Sequence, residues 1–185
     1  MSEGERKPGP LCSFAPPALY RVRPAGAADV ATIIEIQEVS IMGLGVAVYG
    51  QRKARAWAQA GTEHSRDLLG QGTFFVAEAG QALLGVSGWS PDLEREETAW
   101  IRYVFVRPEA AGRGIGRRLV EVAESSALAS GRRRFRLWSS LNAIGFYERL
   151  GYQRLRPARW PVAQGVDIDY LLMGKTRSQP PARGP

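Results

Sequence analysis

The chain has 185 residues, 44% of them hydrophobic and 23% charged, with a formal net charge of +7. That length suits one domain with a sizeable core and is short for two, and the composition excludes collagenous, coiled-coil and wholly disordered classes. The single cysteine, Cys12, rules out an internal disulfide and a multi-cysteine metal site, and no base stands beside it, so neither a metal nor a thiol nucleophile is expected. No apolar run reaches the length of about 18 residues that a membrane span needs, and the first ten residues carry acids and prolines where a secretory signal needs an apolar stretch. A cytoplasmic protein with no membrane partner is expected.

The charge is unevenly placed. Between Trp100 and Trp160 thirteen arginines stand against four acids, while the rest of the chain is slightly acidic. Such a stretch attracts nucleic acid, a membrane surface or a polyphosphate cofactor. Only 3 of the 25 basic residues are lysines, so compositional bias accounts for part of the arginine excess.

In chain order, residues 1–17 form a Pro-rich leader without apolar periodicity, 18–175 a single domain and 176–185 a flexible tail. Leu19 to Arg23 suits a short strand. Ala28 to Ile41 carries Val30, Ile33, Ile34 and Val39 as a helical stripe, and a weaker helical pattern runs from Gln51 to Ala60 between Gly50 and Gly61. Thr73 to Ala79 and Ala82 to Ser87 are apolar runs joined by Gly80-Gln81, which predicts a hairpin. Trp100 to Val106 is apolar on both faces apart from Arg102, which predicts a central strand covered on both sides.

Ile115 to Ser130 puts Ile115, Leu119, Ala123 and Ala127 on one stripe, with Arg117 and Glu121 spaced as an i,i+4 pair and Gly131 as the stop. Arg134 to Ser139 predicts a strand, Asn142 to Leu150 a short helix, and Tyr152 to Arg156 and Val166 to Gly174 the last strands. The order is mixed α/β.

The chemistry concentrates where the strand ending at Val106 runs through Arg107-Pro-Glu-Ala-Ala-Gly-Arg-Gly-Ile-Gly116 into the amphipathic helix. A helix N-terminus offers unpaired N–H groups and the positive end of the macrodipole, and glycines at 112, 114 and 116 let an anion approach the backbone. Arg113, Arg117 and Arg118 flank the turn and add donors for a phosphate. A Walker A loop needs a lysine after its glycines, and none follows here; a Rossmann fingerprint needs a third glycine where Arg117 or Leu119 stands, and an acid on the next strand. A turn that merely packs helix on strand would also use these glycines.

The segment Ala111-Gly-Arg-Gly-Ile-Gly116, between a strand and a long helix, resembles the central Q/R-x-x-G-x-G/A motif of the GNAT superfamily of N-acetyltransferases. The later segment Asn142-Ala-Ile-Gly-Phe-Tyr147-Glu-Arg-Leu-Gly151-Tyr152 resembles that family's N-A-x-x-F-Y-E-x-x-G-F/Y motif, in the expected order and spacing. The resemblance covers roughly Leu19 to Lys175 and implies a mixed, mostly antiparallel sheet of six to seven strands flanked by helices. It implies acetyl-CoA as acyl donor and a small-molecule or peptide amine as acceptor.

Carried over residue by residue, the resemblance assigns the cofactor to the backbone of Ala111, Gly112, Arg113, Gly114, Ile115, Gly116 and Arg117, to the edge of Val104, Phe105 and Val106, and to Asn142. It places Tyr147 beside the thioester sulfur as general acid, and a strand N–H as donor to the carbonyl. Two positions depart from the pattern: Ala111 replaces the family's Gln or Arg, and Trp100 stands where many relatives carry a Glu as base. Glu97 is the nearest substitute base, although the run Glu94 to Glu97 also reads as a solvated charge cluster, and the only histidine, His64, sits among polar residues.

Tyr49, Trp57, Trp89 and Trp160 are candidates to line the acceptor pocket or to pack the core, and the pocket walls expected are Gly43 to Trp57 and the loops after Gly88 and Leu155. A homodimer is left open, and a longer acyl group would alter only the pocket. A reading of another class keeps the fold as a non-catalytic acyl-CoA sensor with a basic surface for nucleic acid or protein. Ala111 and the absent strand Glu motivate it, although nucleic acid is not the expected partner.

Overall fold

The computed structural model describes residues 20–71 and 73–177, the side chains of 62–71 excepted. The leader 1–17 with Cys12, the chain end from 178 and the side chain of His64 lie outside these residues. Eleven elements follow in order: β1 (Arg21–Pro24), α1 (Val30–Ser40), α2 (Val46–Gln71), β2 (Thr73–Ala79), β3 (Ala82–Pro91), β4 (Thr98–Val106), α3 (Ile115–Ala129), β5 (Arg134–Ser140), α4 (Ile144–Arg149), β6 (Gln153–Ala163) and β7 (Val166–Thr176).

They build one seven-stranded sheet in the order β1-β2-β3-β4-β5-β7-β6. Every pairing is antiparallel except that of β4 with β5. This is the mixed, mostly antiparallel sheet expected, and the period of two in β2 explains how it is covered. Phe74 and Val76 pack with Ile33 and Ile36 of α1, while Phe75 and Ala77 join Leu119 and Ala123 of α3 on the other face. The helical stripe Ile115, Leu119, Ala123, Ala127 is buried as its spacing requires.

Several details differ from the sequence expectations for physical reasons. α1 does not stop at Ile41; a π turn, Ile41–Gly45, carries the chain into α2. Gly50, at φ 76°, kinks α2 as a helix boundary would. Gly61 does not end the helix, because it serves close packing: a Cβ there would collide with the side-chain amide of Gln37. On α3 the ion pair is Arg118 with Glu121 at 3.8 Å, not Arg117 with Glu121.

β3, β6 and β7 run longer than expected, and β7 takes Thr176 from the supposed tail. Glu124 of α3, which its sequence neighbourhood does not mark, is buried and accepts two 2.8 Å bonds from Nζ of Lys175 and one of 2.9 Å from the hydroxyl of Tyr152. A buried carboxylate needs such partners, and these pin α3 to β7.

Residues 27–61 make a helical stretch that contains one 18-residue window with a mean hydropathy of 1.5, apolar enough by length and composition for a membrane span. In this fold Ile33 and Ile36 of the stretch lie against the sheet, and the π turn and the Gly50 kink interrupt it.

The feature that positions the site is a divergence in mid-sheet. β4 pairs with β5 only through Thr98–Arg134, Ala99–Phe135 and Trp100–Arg136. From Ile101 onward the two strands part. Against β3 the register also slips, between Val86–Phe105 and Gly88–Arg102, so that Tyr103 and Val104 face the single residue Ser87. Tyr103 takes the left-handed φ of 56°, an uncommon state for a bulky residue. β4 is central as expected, but the half after Ile101 is only partly covered, because it lines the opening.

Candidate active site

Two adjoining cavities fill the opening. The first, about 570 Å³, lies between the end of β4, the glycine turn before α3, the π turn and the start of α4. Val104, Phe105, Val106, Ala111, Gly112, Gly114, Ile115, Gly116, Arg117, Asn142 and Tyr147 all line it. The structure therefore brings together nearly every residue expected to hold the cofactor. Arg113 is the exception: it is exposed and lines neither cavity.

Why the turn suits an anion follows from its backbone. Gly112 and Gly114 sit at φ 76° and 79°, and a Cβ at either would meet nothing within 4 Å. The glycines are thus required by conformation and leave open space in front of the turn. Gly114 is the N-cap of α3, and Arg118 N–H is the first to bond back, to its oxygen at 3.0 Å. The N–H groups of Ile115, Gly116 and Arg117 have no acceptor among the described residues, which leaves them for a bound anion. A Cβ at Gly116 would stand 3.4 Å from the ring of Phe146 of α4, an ordinary contact. A glycine at 43 lets the π turn approach Pro108, whose ring a Cβ would strike.

These residues fit a CoA diphosphate by observation of the cradle itself. Arg117 and Arg149, both on the cavity wall, supply positive charge. The wall has no side chain at Ala111 to add a donor, so the main chain dominates. The edge of β4 from Val104 to Val106, past its last pairing with β5, offers N–H and C=O groups, as an extended amide-bearing arm requires.

The second cavity, about 310 Å³, shares Trp57, Val104, Phe105, Ser140, Ala143 and Tyr147 with the first. Its remaining wall carries five aromatic residues, Trp100, Tyr103, Trp138, Trp160 and Tyr170, together with aliphatic residues, Gln37 and Arg102. Trp100 stacks on Trp138 at 6.0 Å between centroids, Trp138 meets Trp160 at 5.7 Å, and Trp57 meets Tyr170 at 5.7 Å. Asp92 anchors this row from below, accepting from the indole N–H of Trp100 at 3.1 Å. Burial pushes its carboxyl up, but that bond and the N–H groups of Glu94 and Arg95 outweigh it and hold the pKa below the ordinary value.

Of the four aromatic candidates, Trp57 and Trp160 line the second cavity. Tyr49 and Trp89 do not. Tyr49 is a strut, donating to the carbonyl of Asp169 at 2.7 Å and accepting from Leu141 N–H at 2.7 Å. Trp89 is core, its indole bonded to Ser126 at 3.0 Å. The segment after Leu155 does form wall, but as strand β6 rather than loop, and the residues after Pro91 lie elsewhere.

Tyr147 stands where the cavities meet. It is 6% exposed, and no described residue holds its hydroxyl. Burial raises its pKa well above the ordinary phenol value, so the O–H stays on through neutral pH. Asn142 lies in a 3-10 turn and caps neither that turn nor α4, whose N-caps are Ser140 and Ala143. Glu97, the expected substitute base, is corrected by its position. It precedes β4 at the far end from Val106, is exposed, and lines neither cavity. Its carbonyl accepts from Arg133 and Arg134 N–H, which makes it part of the closure between β4 and β5.

Residues 70–154 match the family described as the acetyltransferase (GNAT) domain. An uncharacterised N-acetyltransferase of Methanocaldococcus jannaschii is 38% identical over 87 residues, which span 43% of this chain and 38% of that protein. Among solved structures, a GCN5-related N-acetyltransferase from Rhodopseudomonas palustris superposes with a TM-score of 0.73 at 23% identity, covering 84% of this chain and 94% of that one. The PaiA N-acetyltransferase from Thermoplasma acidophilum, in complex with coenzyme A, gives 0.68 at 21% identity over 85% and 99% of the two chains. YncA of Salmonella typhimurium, with acetyl-CoA, gives 0.61 at 21% over 89% and 98%. At these identities the solved structures establish a common fold.

Proposed function

From the match of residues 70–154 to the acetyltransferase (GNAT) domain and the shared fold, we propose that this chain is an N-acetyltransferase moving an acetyl group from acetyl-CoA to a primary amine by direct attack within a ternary complex. One observation carries the reading: a cradle of free main-chain donors and an aromatic cavity meet at a single buried tyrosine. Acetyl-CoA, when bound, supplies the activated acyl carbonyl and a thiolate leaving group. The N–H groups of the turn from Gly112 to Arg117 hold the diphosphate, and the free edge of Val104 to Val106 orients the arm. A strand N–H on that edge polarises the carbonyl.

Tyr147, a phenol already protonated at neutral pH and kept so to higher pH by burial, gives its proton to the departing sulfur. Orientation of the two substrates does much of the rest. The described residues of the acceptor cavity include no carboxylate or histidine to serve as base, so the amine must arrive neutral or lose its proton through water. We place the activity in the cytoplasm, in keeping with the lone cysteine and the nature of the donor.

The experiment is free-thiol release from acetyl-CoA across an amine panel, with Tyr147→Phe as comparison. Turnover is expected to fall roughly 10²- to 10⁴-fold in that variant while acetyl-CoA still binds. Unchanged turnover would remove the phenol from the mechanism.

A further inference from the structure

The acceptor cavity carries a charge that the transfer step does not use. Arg102 projects from β4 into its wall, half-buried, and donates through Nε to Ser90 Oγ at 3.2 Å. Its terminal nitrogens have no acceptor among the described residues, and no described carboxylate lies within ion-pair distance; Asp92 acts on it only from farther away. A guanidinium in this position retains donors aimed at the space beside it, in the fork that suits a carboxylate. Burial also presses its pKa down, the direction expected of a cation without its anion, against smaller opposing effects of Tyr103 and Asp92.

The surroundings select further. None of the described lining residues is acidic, so nothing there compensates a second cation. Aromatic faces do attract cations, yet those of Trp100 and Trp138 are already met by Arg102 at 5.4 Å and Arg156 at 5.3 Å. What Trp57, Trp160 and Tyr170 add beside that stack is apolar aromatic surface for a ring. Arg102 stands two residues before Val104 across the bulge at Tyr103, and both line the same cavity, so a carboxylate on Arg102 keeps the α-amine on the side of the strand edge where the acyl group lies.

We propose that the acceptor is an aromatic α-amino acid or a close aromatic analogue, its ring among the tryptophans and its carboxylate on the free end of Arg102. This rests on the acetyl-transfer reading and deepens it. The neutral amine nitrogen attacks the acetyl carbon, the carbon–sulfur bond breaks and the sulfur takes a proton from Tyr147; the proton lost by the amine passes through water and restores the phenol, and the products are an N-acetyl amino acid and CoA. The same cavity accounts for the missing base, since a nearby guanidinium and apolar walls disfavour the ammonium form and ease loss of its proton.

The test uses the full chain with acetyl-CoA and compares kcat/KM for L-phenylalanine and L-tryptophan with 2-phenylethylamine and tryptamine, with L-leucine and spermidine alongside. The amino acids should exceed their decarboxylated partners by roughly 10- to 100-fold, the worth of a charge-assisted contact. Arg102→Gln should bring that ratio to near one and Arg102→Lys restore part of it, with an acetyl-CoA-dependent rise in Tm confirming that each variant is folded. If neither variant folds, the wild-type ratio decides alone.

Preference for spermidine, L-leucine or the decarboxylated amines, an unchanged ratio in folded Arg102→Gln, or no turnover of any probe would overturn the inference. The acetyl-transfer reading survives these results as long as acetyl-CoA still raises Tm. No stabilisation by acetyl-CoA overturns both.

Discussion

Gly114 and Tyr147 show how single residues bind the chemistry to the backbone. Gly114 holds φ at 79° at the N-cap of α3, where a β-branched residue is strained by roughly 1–2 kcal/mol and would place its side chain before the donors. Gly114→Val is therefore expected to weaken CoA binding tenfold or more, about 1.4 kcal/mol, as read by calorimetric titration. Wild-type affinity in that variant would mean that the diphosphate lies elsewhere. For Tyr147 the raised pKa sets a pH signature. Because burial keeps the phenol protonated beyond its usual value of about 10, turnover should climb as the amine deprotonates and show no loss from tyrosine ionisation below that pH. The sequence motif found this residue; the extension of its protonated range above the usual phenol value needed the burial that only packing supplies.

Elements were legible in proportion to how local their causes are. The hairpin of β2 and β3 with Gly80 at φ 59°, the stripe of α3 and the strands flanking it follow from period and turn chemistry. The π turn, the continuation of α2 past Gly61 and the bulge at Tyr103 did not, since each answers to a distant partner: Pro108, Gln37 and β3.

The first strand is held by a clamp of the same non-local kind. Arg23 bonds both carboxylate oxygens of Asp29 and one of Glu78, and Arg21 bonds the other oxygen of Glu78, tying β1 to β2 and to the turn before α1. Arg23 holds both acids below the usual carboxylate range. A depressed pKa in the folded state means that the stabilisation is complete above the unfolded values of about 4 and fades as pH falls through the folded ones. The Tm of the wild type should accordingly drop below about pH 4, and Arg23→Gln should lower Tm at pH 7 while flattening part of that acid limb. A parallel acid limb in the variant would show the clamp to be idle.

At the scale of the molecule, six of the thirteen arginines between Trp100 and Trp160 have a defined place in the fold. Arg107 pairs with Glu35, Arg154 with Glu148 and Arg159 with Asp169, while Arg102, Arg117 and Arg149 face the cavities. That distribution favours an anionic cofactor over a nucleic-acid face. Ligand binding across β4, α3 and α4 should stabilise the whole domain, by about 2.7 kcal/mol at a hundredfold excess over Kd. For a chain of this size that is roughly 5 to 10 °C in Tm. CoA and acetyl-CoA are expected to give it by differential scanning, and ATP and NAD to give none; a rise with all four would point to generic polyanion binding.

By itself the sequence determined the strand, glycine turn and helix that make the cradle, and the tyrosine beside it, because φ preferences, helix termini and apolar periods act within a few neighbouring residues. Tertiary structure alone decided that β4 and β5 part after Trp100, that Glu97 falls outside the site, and that Trp100, Trp138, Trp160, Tyr170 and Arg102 share a wall. Those residues come from four strands whose order in the sheet is not their order in the chain, and only packing of the whole sheet brings them together.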